Sequence, residues 1–218
     1  MHYALMQQRP LVINPQRVTH YLTPPYQAVQ NLLLPLEWLG VTRVNARLAQ
    51  TRYVFGGDWE AQAFPFTERA QYRRLRSLAD VLPDFRASTW YQEGLAAIHS
   101  GGSFHHRRHF AHTVAELDAL FSMLLVPMLE SMQQTGYQQR PGDDQSLWII
   151  GRDGTVYKSR HARHRFAAAL VAGVCSGFPG VVDTVHREWW AREVLPGSGS
   201  LHQRFNAALA RLEARYQA

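Results

Sequence analysis

Residues 132–174 read MQQTGYQQRPGDDQSLWIIGRDGTVYKSRHARHRFAAALVAGV, and the way this stretch folds decides the architecture. A helix end at Ser131–Gly136 passes through Gln138, Gln139, Arg140 and Pro141 into an apolar strand, Leu147–Ile150. The quartet Gly151-Arg152-Asp153-Gly154 is a tight turn, because glycines at both ends relieve the backbone where the chain reverses. The chain then returns as a short strand at Val156-Tyr157 and enters an Ala-rich helix that stops at Gly173.

Five basic side chains, Arg160, His161, Arg163, His164 and Arg165, stand around Ala162 at the first turn of that helix. A helix N-terminus carries unpaired N–H groups and the positive end of the macrodipole, so cations placed there repel it. Two readings follow. The cluster is either a receptor for phosphate or carboxylate, which the amides and the dipole both favour, or a basic turn screened by solvent. The receptor is the more economical reading.

Upstream, Leu11–Ile13 has the composition of a strand and Asn14-Pro15 that of a turn. Residues 18–40 suggest a short helix interrupted at Pro35, and residues 42–55 a strand that ends in Gly56-Gly57-Asp58-Trp59. Glycines at a strand end let a ligand approach the backbone, which makes Asp58 a candidate site residue. A turn aspartate bonded to its own backbone accounts for it equally well. Helices are expected from Thr67, as N-cap, to Leu82 and from Ser88 to His99. In His105-His106-Arg107-Arg108-His109 and His112, histidines at 105, 109 and 112 would share one helical face, a spacing permissive for zinc. The intervening arginines oppose a divalent cation, so no metal is assigned. Thr113 and Glu116 form a capping box ahead of an apolar stripe at Val114, Leu117, Leu120, Phe121, Leu124, Leu125, Met128 and Leu129. Farther on, Val181–Val185 should join the sheet, with His186 to Trp190 beyond its end. Leu201, Phe205, Leu209 and Leu212 mark one face of a last helix.

With 218 residues, 46% of them hydrophobic, the chain can bury a substantial core. A single cysteine, Cys175, excludes a disulfide framework and is expected as a small apolar filler. Prolines at 10, 15, 24 and 25 interrupt the N-terminal region, so neither a secretory leader nor a membrane span is expected and a cytoplasmic setting is the simplest. The net charge of +6 invites nucleic acid, yet the basic residues are dispersed and no recognition-helix pair follows the basic segment. Nucleic acid is therefore the less favoured partner.

The runs ESMQQTGYQQRP and IIGRDGTVYKSRHARHRFAAALVAGV resemble the ParB/sulfiredoxin superfamily, strongly over about residues 120–190. Among its members the chain is most similar to ParB-like proteins that add an upstream G-D-W motif, here Gly57-Asp58-Trp59, and a late H-x-x-W motif, here His186 to Trp189. On that resemblance Ala162 replaces a usual Gly, and Arg163 stands where ParB has Glu and sulfiredoxin its cysteine. A thiolate reaction is thereby excluded. The resemblance implies an α+β fold whose small mixed sheet is flanked by helices, with residues 1–98 as an N-terminal extension, 99–195 as the core and 196–218 as linker and final helix. It also implies binding of a nucleotide or phosphometabolite and ATP-dependent phosphoryl transfer to a small-molecule hydroxyl, with Mg²⁺. In that mechanism residues 160–165 hold the phosphates, Gln138, Gln139, Arg140 and His186 line the facing side, and the base comes from Asp58, Asp153 or His164. Asp183 and Glu188 are further carboxylates to consider. The rival reading is a non-catalytic module that binds nucleic acid or protein.

Overall fold

A computed structural model of the protein describes residues 8–25, 53–106, 109–139, 143–175 and 177–217. In chain order the elements are β1 (Leu11–Ile13), β2 (His20–Tyr21), β3 (Tyr53–Phe55), β4 (Phe64–Pro65), α1 (Ala70–Ala79), α2 (Thr89–His99), β5 (Phe104–His106), β6 (His109–Ala111), α3 (Val114–Leu120), a π-helical segment (Phe121–Leu125), α4 (Val126–Thr135), β7 (Ser146–Ile150), β8 (Val156–Lys158), α5 (Arg163–Val171), β9 (Phe178–His186), α6 (Arg187–Glu193) and α7 (Leu201–Gln217). The chain is α+β with a mixed sheet and flanking helices. It forms two compact units, each discontinuous in sequence. The first draws its described residues from the ranges 1–66, 142–163 and 176–218, and the second from 67–141 and 164–175.

In the first unit β9 organises a seven-stranded sheet of order β1-β9-β7-β8-β2-β4. Strand β7 runs parallel to β9 along one side, while the other side is shared by β1, antiparallel to residues 178–180, and β3, parallel to residues 184–186. The sequence explains why these strands sit in the middle. All five residues of β7 are buried, and an uninterrupted apolar strand must be covered on both faces. Between β7 and β8 the expected turn closes with a bond from the Gly151 amide to the Thr155 carbonyl, and Gly154 takes φ 92°, which glycine adopts without strain. The final helix, α7, buries Phe205, Ala208, Leu209 and Leu212. It is tied to β1 by the Val12 amide on Glu213 Oε2 at 2.8 Å and the Asn14 amide on the Tyr216 carbonyl at 3.2 Å.

Strands β1 to β4 and helix α7 belong to the same unit as β7 to β9: β1, β2 and β3 each pair with a strand more than 130 residues away, β4 pairs with β2, and α7 is bonded to β1. Of the range 18–40, where a helix is expected, residues 18–25 are described and hold strand β2, and the rest lies outside the described residues; of the expected strand at 42–55 only residues 53–55 are described, and they form β3.

The second unit packs α1, α2, the β5–β6 hairpin, the helical run from α3 to α4, and α5 from His164 onward. Phe121 is fully buried at its centre, with ring centroids 5.2 Å from Tyr91, 5.5 Å from Trp90 and 5.9 Å from Phe85 and Phe104. Ser88 caps α2 by accepting from the Tyr91 amide at 3.1 Å, and the Thr113–Glu116 capping box is present. By contrast, α1 begins at Ala70 and not after Thr67, which lies in a preceding 3-10 turn. The stripe also turns differently from its expected phase. Leu117, Phe121, Leu125 and Leu129 are buried at a constant spacing of four, whereas Leu124 is exposed. An α-helix loses about 40° per four residues, and the wider π turn restores the phase. Pro127 has no N–H to offer the turn before it, which is why the ladder widens there. Cys175 is exposed, so it is not an apolar filler.

Gly180 faces Ser146 across β7 and β9, and a β-carbon there would collide with the Trp148 indole and lie 2.8 Å from the Ser146 carbonyl oxygen. Because one obstacle is backbone, Gly180→Ala should destabilise the protein by about 1–3 kcal/mol. Urea unfolding checks this, and an unchanged midpoint would show that the strands open at no cost.

Candidate functional site

The single lysine of the sequence, Lys158, ends β8 with no exposed surface. Its ammonium donates to three consecutive main-chain carbonyls, Ser159 at 2.7 Å, Arg160 at 3.1 Å and His161 at 2.8 Å. In a trans peptide the N–H lies opposite the carbonyl, so amides of Arg160, His161 and Ala162 are turned away from the lysine. Successive amides with one orientation make a concavity suited to an anion. The turn needs left-handed backbone at two non-glycine positions, His161 at φ 60° and Ala162 at φ 47°. Such residues cost on the order of 1–3 kcal/mol and persist only where the surroundings hold them, here through the lysine. Arg160 and Arg163 are half-buried and His161 is exposed. The His161 imidazole is held below its ordinary pKa, first by partial desolvation and then by the positive charge of Arg160, while Asp144 and Asp183 pull the other way.

The expected bases Asp58 and Asp153 are elsewhere. Asp153 accepts from the Thr155 amide at 2.8 Å and from the Thr155 hydroxyl at 2.9 Å. Partial burial opposes its charge, but these bonds win and keep the carboxyl below its ordinary pKa. Asp58 accepts from Arg152 Nη2 at 2.6 Å, and Glu60 takes both the Arg152 amide and its Nε at 2.9 Å. All four groups gather at the tip of the β7–β8 hairpin, whereas residues 159–163 leave its open end. Three strand residues separate the two ends, about 10 Å. Neither aspartate is thus placed as a base for the Lys158 turn.

The G-D-W and H-x-x-W motifs meet each other. His186 is buried, its Nδ1 accepts from the Glu188 amide at 3.1 Å, and Nε2 lies 3.0 Å from the Gly57 carbonyl. With Nδ1 accepting, Nε2 is the nitrogen that donates to the Gly57 carbonyl, so both nitrogens are occupied. Its ring also packs 5.4 Å from Trp59. His186 therefore caps α6 and braces the Gly57 loop, with no nitrogen left for a ligand. Gln138 bonds back to the Thr135 carbonyl at 3.0 Å, Gln138 and Gln139 are exposed, and Arg140 lies outside the described residues. Asp183 is buried in β9 beside a break in the register with β7.

In the second unit His164 meets residues from which it is distant in sequence. A pocket of about 180 Å³ is lined by Gln71, Arg74, Trp90, His105, His106 and His164. The expected helical face of His105, His109 and His112 does not exist, because residues 104–106 and 109–111 are paired antiparallel strands in which His106 faces His109 and His105 faces Phe110. Among the described residues no group of three or more His, Cys, Asp or Glu could hold a metal ion. No described helix is long and apolar enough to cross a membrane.

Against protein-family models, curated proteins and solved structures, the chain finds no match. The role of Lys158 was missed in the sequence, although it left a signal as the one lysine in a chain that otherwise uses arginine.

Replacing Lys158 by Met keeps the aliphatic stem and removes the ammonium, which leaves buried carbonyls without a donor. A loss on the order of 3 kcal/mol is expected, since each orphaned group costs about 1–3 kcal/mol. Chemical denaturation measures it. A neutral Lys158→Met would mean that the turn is held by something else.

Proposed function

We propose that the protein binds a nucleotide or phosphorylated metabolite, and that the phosphate is received by the segment from Arg160 to Arg165. The observation that carries this reading is the grip of Lys158 on three successive carbonyls, which turns the amides of Arg160, His161 and Ala162 outward beside cationic side chains. A backbone held at such cost is economical where it serves a ligand. The amides supply directed donors, and Arg160 and Arg163 supply charge. His161 adds an N–H while neutral and a second one when protonated.

The resemblance to ParB/sulfiredoxin proteins extends this reading to ATP-dependent phosphoryl transfer onto a small-molecule hydroxyl. Of the three bases considered for that step, Asp58 and Asp153 are committed to hairpin contacts, and His164 lines a pocket. Mg²⁺ finds no cluster of protein ligands among the described residues. No step is assigned to it, and the ion would have to arrive with the nucleotide phosphates.

Thermal unfolding against a panel of nucleotides and phosphometabolites, with and without Mg²⁺, tests the proposal. A ligand at 100 times its Kd adds about 2.7 kcal/mol, which for a chain of this size raises Tm by roughly 5–10 °C. The rise should vanish in Arg160→Ala. Because a bound anion raises the His161 pKa from its depressed value, binding takes up a proton and should tighten as pH falls below neutral. If no nucleotide or phosphometabolite shifts Tm, or if the shift survives Arg160→Ala unchanged, the segment is not the receptor. A response to DNA or RNA that disappears with salt would instead favour a nucleic-acid module.

A further inference from the structure

We infer that the outward face of the β5–β6 pair is a stacking platform for the bases of a single-stranded nucleic acid. The inference goes beyond the reading above and uses none of residues 160–165. Strand residues alternate between faces, so the pairing of Phe104 with Ala111 and of His105 with Phe110 sorts the side chains into two sets. Phe104, His106 and Ala111 are buried, and the Phe104 ring packs 6.3 Å from Trp90 and 5.9 Å from Phe121. Gly94 makes that approach possible, since a β-carbon there would lie 2.8 Å from the Phe104 ring. One face of the pair is thus anchored in the core of the second unit.

The other face is aromatic and open. Phe110 is 59% exposed, and His105 and His112 are exposed beside it. The three rings share nearly one orientation: His105 stacks on Phe110 at 4.5 Å and 19°, and His112 lies parallel to Phe110 within 11° at 6.4 Å. A cross-strand pair such as His105 with Phe110 helps to hold two strands together. It gives no reason for His112, which follows the end of β6, to align its ring as well. Leaving most of a phenyl ring in water forgoes the gain of burying it, and here its neighbours orient the ring without covering it. Rings fixed in this way lose little entropy on binding.

Charge and shape choose the occupant. Between His105 and His112 there is no acidic residue, and in sequence Arg107 and Arg108 stand between the two strands. The nearest carboxylate along the chain, Glu116, is engaged by the His112 and Thr113 amides at 2.6 and 3.2 Å and caps α3. A membrane surface would ask for several apolar side chains, where here one phenylalanine stands among imidazoles. A nucleic-acid strand brings phosphates for the cations and a flat π-face on every base for the rings. Bases stacked inside a duplex offer no such face, so the platform selects unpaired strands.

Fluorescence anisotropy of the full chain with a labelled DNA single strand of about ten nucleotides, alone or annealed to its complement, provides the test. The single strand should bind more tightly than the duplex. Phe110→Ala should weaken it at least fivefold, Phe110→Trp should retain it, and Arg160→Ala should leave it unchanged, so that this inference and the preceding proposal fail separately. Equal affinity for strand and duplex, or for wild type and folded Phe110→Ala, overturns the inference, as does a wild type that does not bind the strand or a Phe110→Trp that binds no better than Phe110→Ala. So does a chain that sediments as a dimer which Phe110→Ala dissociates, because a second copy then covers the face. Should Phe110→Ala lose its circular dichroism, the ring-proton NMR signals of Phe110 in the wild type decide. Their upfield shift on addition of the strand supports stacking, and their constancy excludes it.

Discussion

A single ammonium group, fully buried, holds the end of β8 and the entry to α5 together, and the shape of the basic segment follows from it. Burying a charge is costly unless its donors are met. Lys158 meets this cost with main-chain oxygens of Ser159, Arg160 and His161, at 2.7–3.1 Å. Carbonyls drawn toward the ammonium turn the amides of the same peptides away from it, so one buried contact sets the course of three residues. The left-handed angles of His161 and Ala162 are part of the same device, since the chain cannot bring three successive oxygens onto one point while keeping helical or extended angles throughout. Ala162 bears a cost there that glycine would not.

The topology of the first unit then separates two groups of polar residues that the sequence sets close together. Arg152 and Arg160 are eight residues apart, but a β-hairpin lies between them. At its tip Arg152 engages Asp58 and Glu60, with His186 bracing the neighbouring Gly57 carbonyl. These contacts lie beyond the carboxyl ends of the parallel strands β3, β9 and β7, where open sheets of this kind commonly leave a ligand crevice. Here ion pairs and a capped helix fill part of the space. Carboxylates whose oxygens are taken up by arginine and backbone amides argue for a structural task at that edge.

Much of this was legible in the sequence because it is local. The β7–β8 hairpin is written in Gly151 and Gly154 between apolar runs, the start of α2 in Ser88, and that of α3 in Thr113 with Glu116. What failed depends on partners far away in the chain. The histidines at 105–112 fit a helical spacing equally well, and only pairing between β5 and β6 settles that Phe104, His106 and Ala111 face one way. The make-up of the first unit was not legible for the same reason: nothing near Leu11 announces that its strand pairs with Gly180. For His186, the neighbouring tryptophans suggested packing, but the use of both ring nitrogens could be read only from the Glu188 amide and the Gly57 carbonyl.

The choice of lysine at position 158 is the last step. Elsewhere this chain uses arginine for every fixed positive charge, whether paired on the surface, as in Arg86 with Asp118, or within the basic segment. Arginine presents donors in a flat fork suited to two coplanar oxygens. The three carbonyls around Lys158 belong to successive peptides of a turning chain, and a compact tetrahedral ammonium with three donors suits them better than a plane does. Guanidinium is also bulkier, and a position with no exposed surface beside Trp148, whose ring lies 5.5 Å from Nζ, has little room for it. The lone lysine is thus a consequence of geometry: where charge must meet anions at the surface the chain uses arginine, and where it must gather its own backbone from within, it uses the one side chain whose shape allows that.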